Sequence, residues 1–131
     1  MDIKIIISIG ELLDKITILQ IKTENIKDEQ KLSNINHELQ LLQKFWYEAD
    51  CDKSLIEHEL AQLKQVNQKL WQIEDEIRIK EFQQNFDSEF IELARSVYFT
   101  NDVRADLKKQ INIKLKSGVV EEKSYADYTQ T

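Results

Sequence analysis

An all-α fold is predicted by three observations. The 131-residue chain contains no proline, its only glycines are Gly10 and Gly118, and apolar residues recur at helical spacing along most of its length. Nothing between residues 11 and 117 forbids helix. The expected architecture is a long antiparallel helical hairpin covered by two shorter C-terminal helices, followed by an extended C-terminal tail. A chain of this length fits a single domain with a modest core, so residues 1–131 are read as one helical domain.

The β-branched run at residues 3–9 precedes the first helix and is read, over 1–8, as an extended arm. Ser8 with Glu11 three residues later makes a capping box, so helix should start near Ile9. Leu12, Leu13, Ile16 and Leu19 form one apolar stripe, while Ile18 and Ile21 begin a second series that continues through Leu32, Ile35, Leu39 and Leu42 to Trp46. Because this seam stays in phase across "KDEQKLSN", the spacing predicts one long helix over 9–48.

"EADCDKS" interrupts the pattern, and Asp52 or Ser54 can cap a second helix over 54–84 carrying Ile56, Leu60, Leu63, Val66, Leu70, Ile73 and Ile77. Reversal near Cys51 places Trp46 opposite Ile56, Leu42 opposite Leu60, Leu39 opposite Leu63 and Leu32 opposite Leu70. Asp87 is the expected cap of a short helix over 87–99, and Thr100 or Asn101 that of another over 102–116. These two should cover the stripe that begins at Leu12. Gly118 suits a left-handed position after the last helix, and 117–131 reads as the tail.

Bulk properties narrow the function classes. A net charge of −6 argues against nucleic acid as a partner, because phosphate contacts need a clustered positive field. Apolar runs such as "IIISI" are far too short to span a bilayer, so no membrane insertion is expected. The start lacks the basic region and cleavage site of a signal peptide, and one cysteine, Cys51, cannot form an intrachain disulfide. Both features suit a cytoplasmic protein.

The charges of "WQIEDEIRIKE" are the main polar anomaly. Glu74, Arg78 and Glu81 fall between two apolar groups on the helical wheel, and the hairpin arithmetic sets Asn25 and Asp28 opposite them. Two readings fit. Arg78 could bridge Asp28 and the glutamates and so pin the hairpin register. Alternatively Asp28, Glu74 and Glu81 could hold a hard cation, with Mg²⁺ as the cofactor, or Arg78 could grip an anion. Arg104 lies within an apolar arc, where Glu11 or Asp14 would be its carboxylate partner. Glu11 and Asp14, with Lys15 beside them, form an acidic pair that either complements the helix dipole or marks a ligand site at the open end of the hairpin.

The ordered set "ISIGELLDKITILQIK", "LWQIEDEIR", "FIELARSVYFTNDVRADLKKQIN" and "VVEEKSY" resembles an uncharacterised family of small all-α bacterial proteins. The resemblance covers most of the chain and implies a genomic setting near glycosyltransferases and envelope polysaccharide functions. If its motifs mark a shared surface, the matching positions begin with Glu11, Asp14, Lys15, Glu74, Asp75 and Arg78. Arg95, Asn101, Asp102, Arg104 and Lys108 follow, with Glu121, Glu122, Lys123 and Tyr125 in a tail so distinctive that it should dock on the hairpin or a partner.

The leading functional expectation is a non-enzymatic interaction or accessory module with a protein partner, either a glycosyltransferase or a second copy of itself, in cell-envelope glycan biosynthesis. No catalytic residues and no cofactor are assigned under that reading. The alternative is a metal-dependent hydrolase or a binder of a phosphorylated small molecule using helix-borne carboxylates. It is somewhat similar to the all-α nucleoside triphosphate pyrophosphohydrolases, except that their paired-glutamate motif precedes an "ExxD", whereas Glu11 to Asp14 comes first here.

Overall fold

The computed structural model describes residues 1–129 and is all-helical: α1 (Ile9–Asn25), α2 (Glu29–Glu48), a 3-10 turn (Lys53–Ile56), α3 (Glu57–Phe82) and α4 (Ser88–Lys114). The all-α expectation holds. The division into helices differs at two places. Residues 130 and 131 of the expected tail lie outside the described residues.

The helix expected over 9–48 is two helices. Ile26 and Asp28 take extended backbone angles, and the Asp28 carboxylate accepts from the Lys31 N–H (2.9 Å) to cap α2. At the end of α1 the Asn25 side chain donates to the Ile21 carbonyl (2.7 Å), occupying one of the acceptors that a helix leaves open. The chain reverses here. Trp46 therefore shares a core cluster with Leu13 and Ile16, which it could not reach if α2 continued in the direction of α1.

In the other direction, the two short helices expected over 87–99 and 102–116 are one continuous helix. Thr100, proposed as a cap, is buried inside it. Asp87 does cap this helix, accepting from the Phe90 N–H (2.9 Å).

Helix pairing follows from these breaks. α1 packs on α2, α3 packs on α4, and α1 also lies against both α3 and α4. Contacts of Gly10 with Asn112 and of Asp14 with Arg104 make α1 and α4 antiparallel. The hairpin expected between 9–48 and 54–84 is thus replaced by two shorter hairpins with α1 between α2 and the α3–α4 pair. The residues of its apolar matches join the core without the expected pairing, since α2 does not pack directly on α3: Trp46, Ile56 and Leu63 are buried with Leu13, Ile16, Leu107 and Ile111, and Leu39, Leu42 and Leu60 pack against this cluster. Leu32 and Leu70 remain only half-buried outside this cluster. Burying one such side chain stabilises the fold by about 1.5–3 kcal/mol.

Residues 1–8 and 119–129 are without regular structure. Residues 1–6 of the arm are exposed, and the segment after Lys114 runs back along α4. The left-handed residue near the end of α4 is Lys116 (φ 54°), not Gly118, because the turn falls two residues earlier than the glycine suggested. Gly10 is needed for another reason. A Cβ there would stand 2.6 Å from the Lys108 carbonyl oxygen, so α1 and α4 approach as closely as they do only because this position has no side chain.

Candidate functional site

A polar network occupies the α1–α4 contact. Asp14 is only 1% exposed, and its carboxylate accepts a two-pronged contact from Arg104, with Nε at 2.9 Å from Oδ1 and Nη2 on Oδ2. Asn67, also buried, donates to Asp14 Oδ1 and to Thr17 Oγ1, each at 2.9 Å. Lys108 Nζ lies 3.7 Å from Asp14 Oδ2 and bonds Glu11, which Lys15 also approaches at 3.6 Å. Burial opposes ionisation of Asp14, but Arg104, Asn67 and Lys108 together outweigh it and hold the carboxyl below the usual aspartate range. In return Asp14 raises the Arg104 guanidinium further above its ordinary value.

One turn toward the start of α1, the network continues into the tail. Ser8 accepts from the Glu11 N–H (3.0 Å) and donates to Glu121 Oε1. Asn112 donates to Glu121 Oε2 (3.1 Å) and accepts from the Gly10 N–H (2.7 Å). Burial pushes the Glu121 carboxyl up, but Ser8, Lys108 and Asn112 outweigh it, so the group lies below its ordinary value. Further along α4, Glu122 pairs with Lys109 (2.8 Å), while Asp102 pairs with Lys123 (2.7 Å) and accepts from the Tyr128 hydroxyl. Tyr128 is pushed up to about 12 by that contact and packs on Tyr98 and Phe99. The tail that the resemblance marks as distinctive therefore docks, on α4 where the hairpin or a partner was expected, with Tyr125 left exposed.

Arg104 forms the boundary between this network and a cleft of about 460 Å³ between α1, α3 and α4. Ile18, Leu70 and Trp71 supply apolar wall; Lys22, Arg78 and Arg104 supply cations. Glu74, Asp75 and Asn101 line the same space.

Of the residues singled out by sequence, the cleft gathers Glu74, Asp75, Arg78, Asn101 and Arg104, and the network behind it holds Glu11, Asp14 and Lys108. The others lie elsewhere. Lys15 is exposed and reaches only the edge of the network at Glu11, Asp102 holds the tail, and Arg95 sits over the Phe99 ring at 5.7 Å. The expected bridge from Arg78 to Asp28 does not form, because Asp28 caps α2; Arg78 instead pairs with Glu74 one turn away on its own helix (3.2 Å) and is exposed. Among the described residues no three His, Cys, Asp or Glu side chains are placed to hold a metal ion, so Asp28, Glu74 and Glu81 do not form the cation site considered for them.

Sequence reasoning missed Asn67, Thr17, Asn112 and Lys22. Asn67 had a readable signal, a polar residue one helical turn beyond Leu63 and beside Val66 and Leu70 on a buried seam. The others had none.

A third feature is the far end of the α3–α4 hairpin. Buried positions stop at Ile73 on α3 and resume only at Thr100 on α4. Between them Ile79, Phe82, Phe86 and Ile91 are exposed. Lys80 clasps Asp87 (2.9 Å) and Glu89 (3.2 Å) across the turn, and Phe86 meets Phe90 edge-on at 5.1 Å.

Among the described residues, fold and site together define a four-helix protein with an ion-paired core and a cleft lined by three cations and two carboxylates. The chain belongs to a family of unknown function, DUF6165, whose model matches residues 3–131. No curated protein and no solved structure matches it. Among the described residues no helix is long and apolar enough to cross a membrane.

Proposed function

We propose that the protein is a non-enzymatic interaction module that docks onto a protein partner through the distal end of its α3–α4 hairpin. The exposed set Ile79, Phe82, Phe86 and Ile91 carries this reading, with Phe82 89% exposed at the last position of α3. Single exposed apolar residues are ordinary, but several grouped where two helices stand without a covering layer form a docking surface. The polar network supports the same reading. Among the described residues no buried side-chain nitrogen or oxygen lacks a hydrogen-bond partner, which suits a rigid scaffold more than a reacting centre.

The resemblance to small bacterial proteins encoded near glycosyltransferases points to a cytoplasmic accessory role in envelope glycan synthesis. A bacterial glycosyltransferase is then the first partner to test, and a second copy of the chain the next. The double variant Phe82→Glu, Ile91→Glu is compared with the wild type by affinity capture with such enzymes and by light scattering for self-association. Loss of the complex with an unchanged melting temperature supports the proposal. A variant that keeps every partner and its own oligomeric state overturns it.

A further inference from the structure

We propose that the cleft between α1, α3 and α4 binds a small phosphorylated ligand with a hydroxylated ring, the phosphate on Lys22, Arg78 and Arg104 and the ring against Trp71. The site is separate from the docking surface at the hairpin end.

The charge distribution carries the argument. The chain has a net charge of −6 and only three arginines, yet two of them line this one cleft together with Lys22. Arg104 is the anchor. Asp14 engages Nε and Nη2, which fixes the guanidinium plane and leaves Nη1 without a protein acceptor among the described residues. A planar donor already held in place loses little entropy on meeting a phosphate oxygen.

A purely structural account covers the Asp14–Arg104 pair but not the other two cations. Lys22 complements the C-terminal end of the α1 dipole, which explains its position along the helix and not its facing the cleft. It is half-buried and forms no ion pair among the described residues. The Arg78–Glu74 pair has an arginine side chain 78% exposed, and pairs of that kind hold so weakly that a phosphate dianion displaces them readily.

The same cleft argues against bare phosphate as the whole ligand. Glu74 and Asp75 would repel a second anionic group but accept hydrogen bonds from hydroxyls, and Asn101 can both donate and accept. Trp71 and Leu70 add a flat apolar surface for a ring. A volume of about 460 Å³ is of the size that small-molecule sites have. A sugar phosphate and a nucleoside monophosphate share this chemistry.

The test is calorimetric titration of the full chain, in EDTA, with glucose 1-phosphate, uridine monophosphate, inorganic phosphate, glucose and uridine. At least one phosphorylated ring compound is expected to bind, with its phosphate-free counterpart and inorganic phosphate each at least about tenfold weaker. Lys22→Gln and Arg78→Gln, both outside the buried network, should each weaken that binding about tenfold and move the melting temperature by no more than a few degrees. Preference for glucose 1-phosphate or for uridine monophosphate decides between a sugar and a nucleoside source. Absence of binding by both ring phosphates at millimolar concentration overturns the proposal. So does inorganic phosphate binding equally well, or binding indifferent to both substitutions.

Discussion

At its near end the α3–α4 hairpin buries Glu59, Leu63, Asn67, Leu107, Ile111 and Asn112, whereas no residue from Glu74 to Phe82 or from Ser88 to Phe99 is fully buried. The near end has α1 laid against it, and at the far end the two helices have only each other. Propensity does not separate these halves, since both are rich in good helix formers and lack proline. The difference lies in whether a third helix covers the seam. Where α1 is present, polar groups become internal and must be paired; where it is absent, apolar groups remain outside and are available to another molecule.

The largest expected effect is at Asp14. Asp14→Ala leaves Arg104 and Lys108 without their buried counter-charge and Asn67 without an acceptor, which should cost about 3–5 kcal/mol in a urea titration. Asp14 also predicts an acid limb. Its folded pKa lies below the value of about 3.9 expected in the unfolded chain, so its stabilisation is present above that pH and lost as pH falls through the folded value. Stability of the wild type should therefore fall more steeply below about pH 4 than that of Asp14→Asn. Parallel acid limbs would show that the carboxylate is not charged in the core.

Gly10→Ala comes next. The added methyl must push the Lys108 carbonyl away, and overpacking of a close helix contact costs about 1–3 kcal/mol; an unchanged denaturation midpoint would show that α1 and α4 are further apart than described. Glu121→Ala removes the partner of Ser8 and Asn112, both buried, and should cost about 1–2 kcal/mol, while Glu122→Ala, whose pair with Lys109 is exposed, should leave the midpoint nearly unmoved. Smallest of all is Phe82→Ser, within about 0.5 kcal/mol by thermal melting, because the side chain is already in solvent. A large loss there would mean that the far end has a core after all.

What could be read from sequence was whatever depends on one helix at a time. The Ser8 and Asp87 caps, the helical character of nearly the whole chain and the apolar residues of α1, α3 and α4 were legible because capping and periodicity are local. Arg104 was also traceable to Asp14 as one of two partners, since an arginine inside an apolar arc needs a carboxylate. The turn at Ile26–Asp28 was not. It uses extended backbone angles open to any residue, needs neither glycine nor proline, and the apolar spacing on either side happens to stay in phase across it. Missing that turn displaced everything derived from the hairpin arithmetic, including the supposed meeting of Asp28 with Arg78. Lys22 and Trp71 became neighbours of Arg104 only through the arrangement of three helices, which no single periodicity encodes.

The Ser8–Glu121 contact joins residues 113 positions apart, and Gly10 meets Asn112 across 102. Each of the two hairpins can form from nearby sequence, but this closure requires both to be in place, and contacts of such separation come late and slow the reaction that makes them. The amide of Gly10, bonded to Asn112 and shielded from water, therefore acts as a clock hand for the last step. In pulse-labelling during refolding it should gain protection after the amides of α3 and α4. The least covered part of the molecule would then be among the first to form, and the most covered the last.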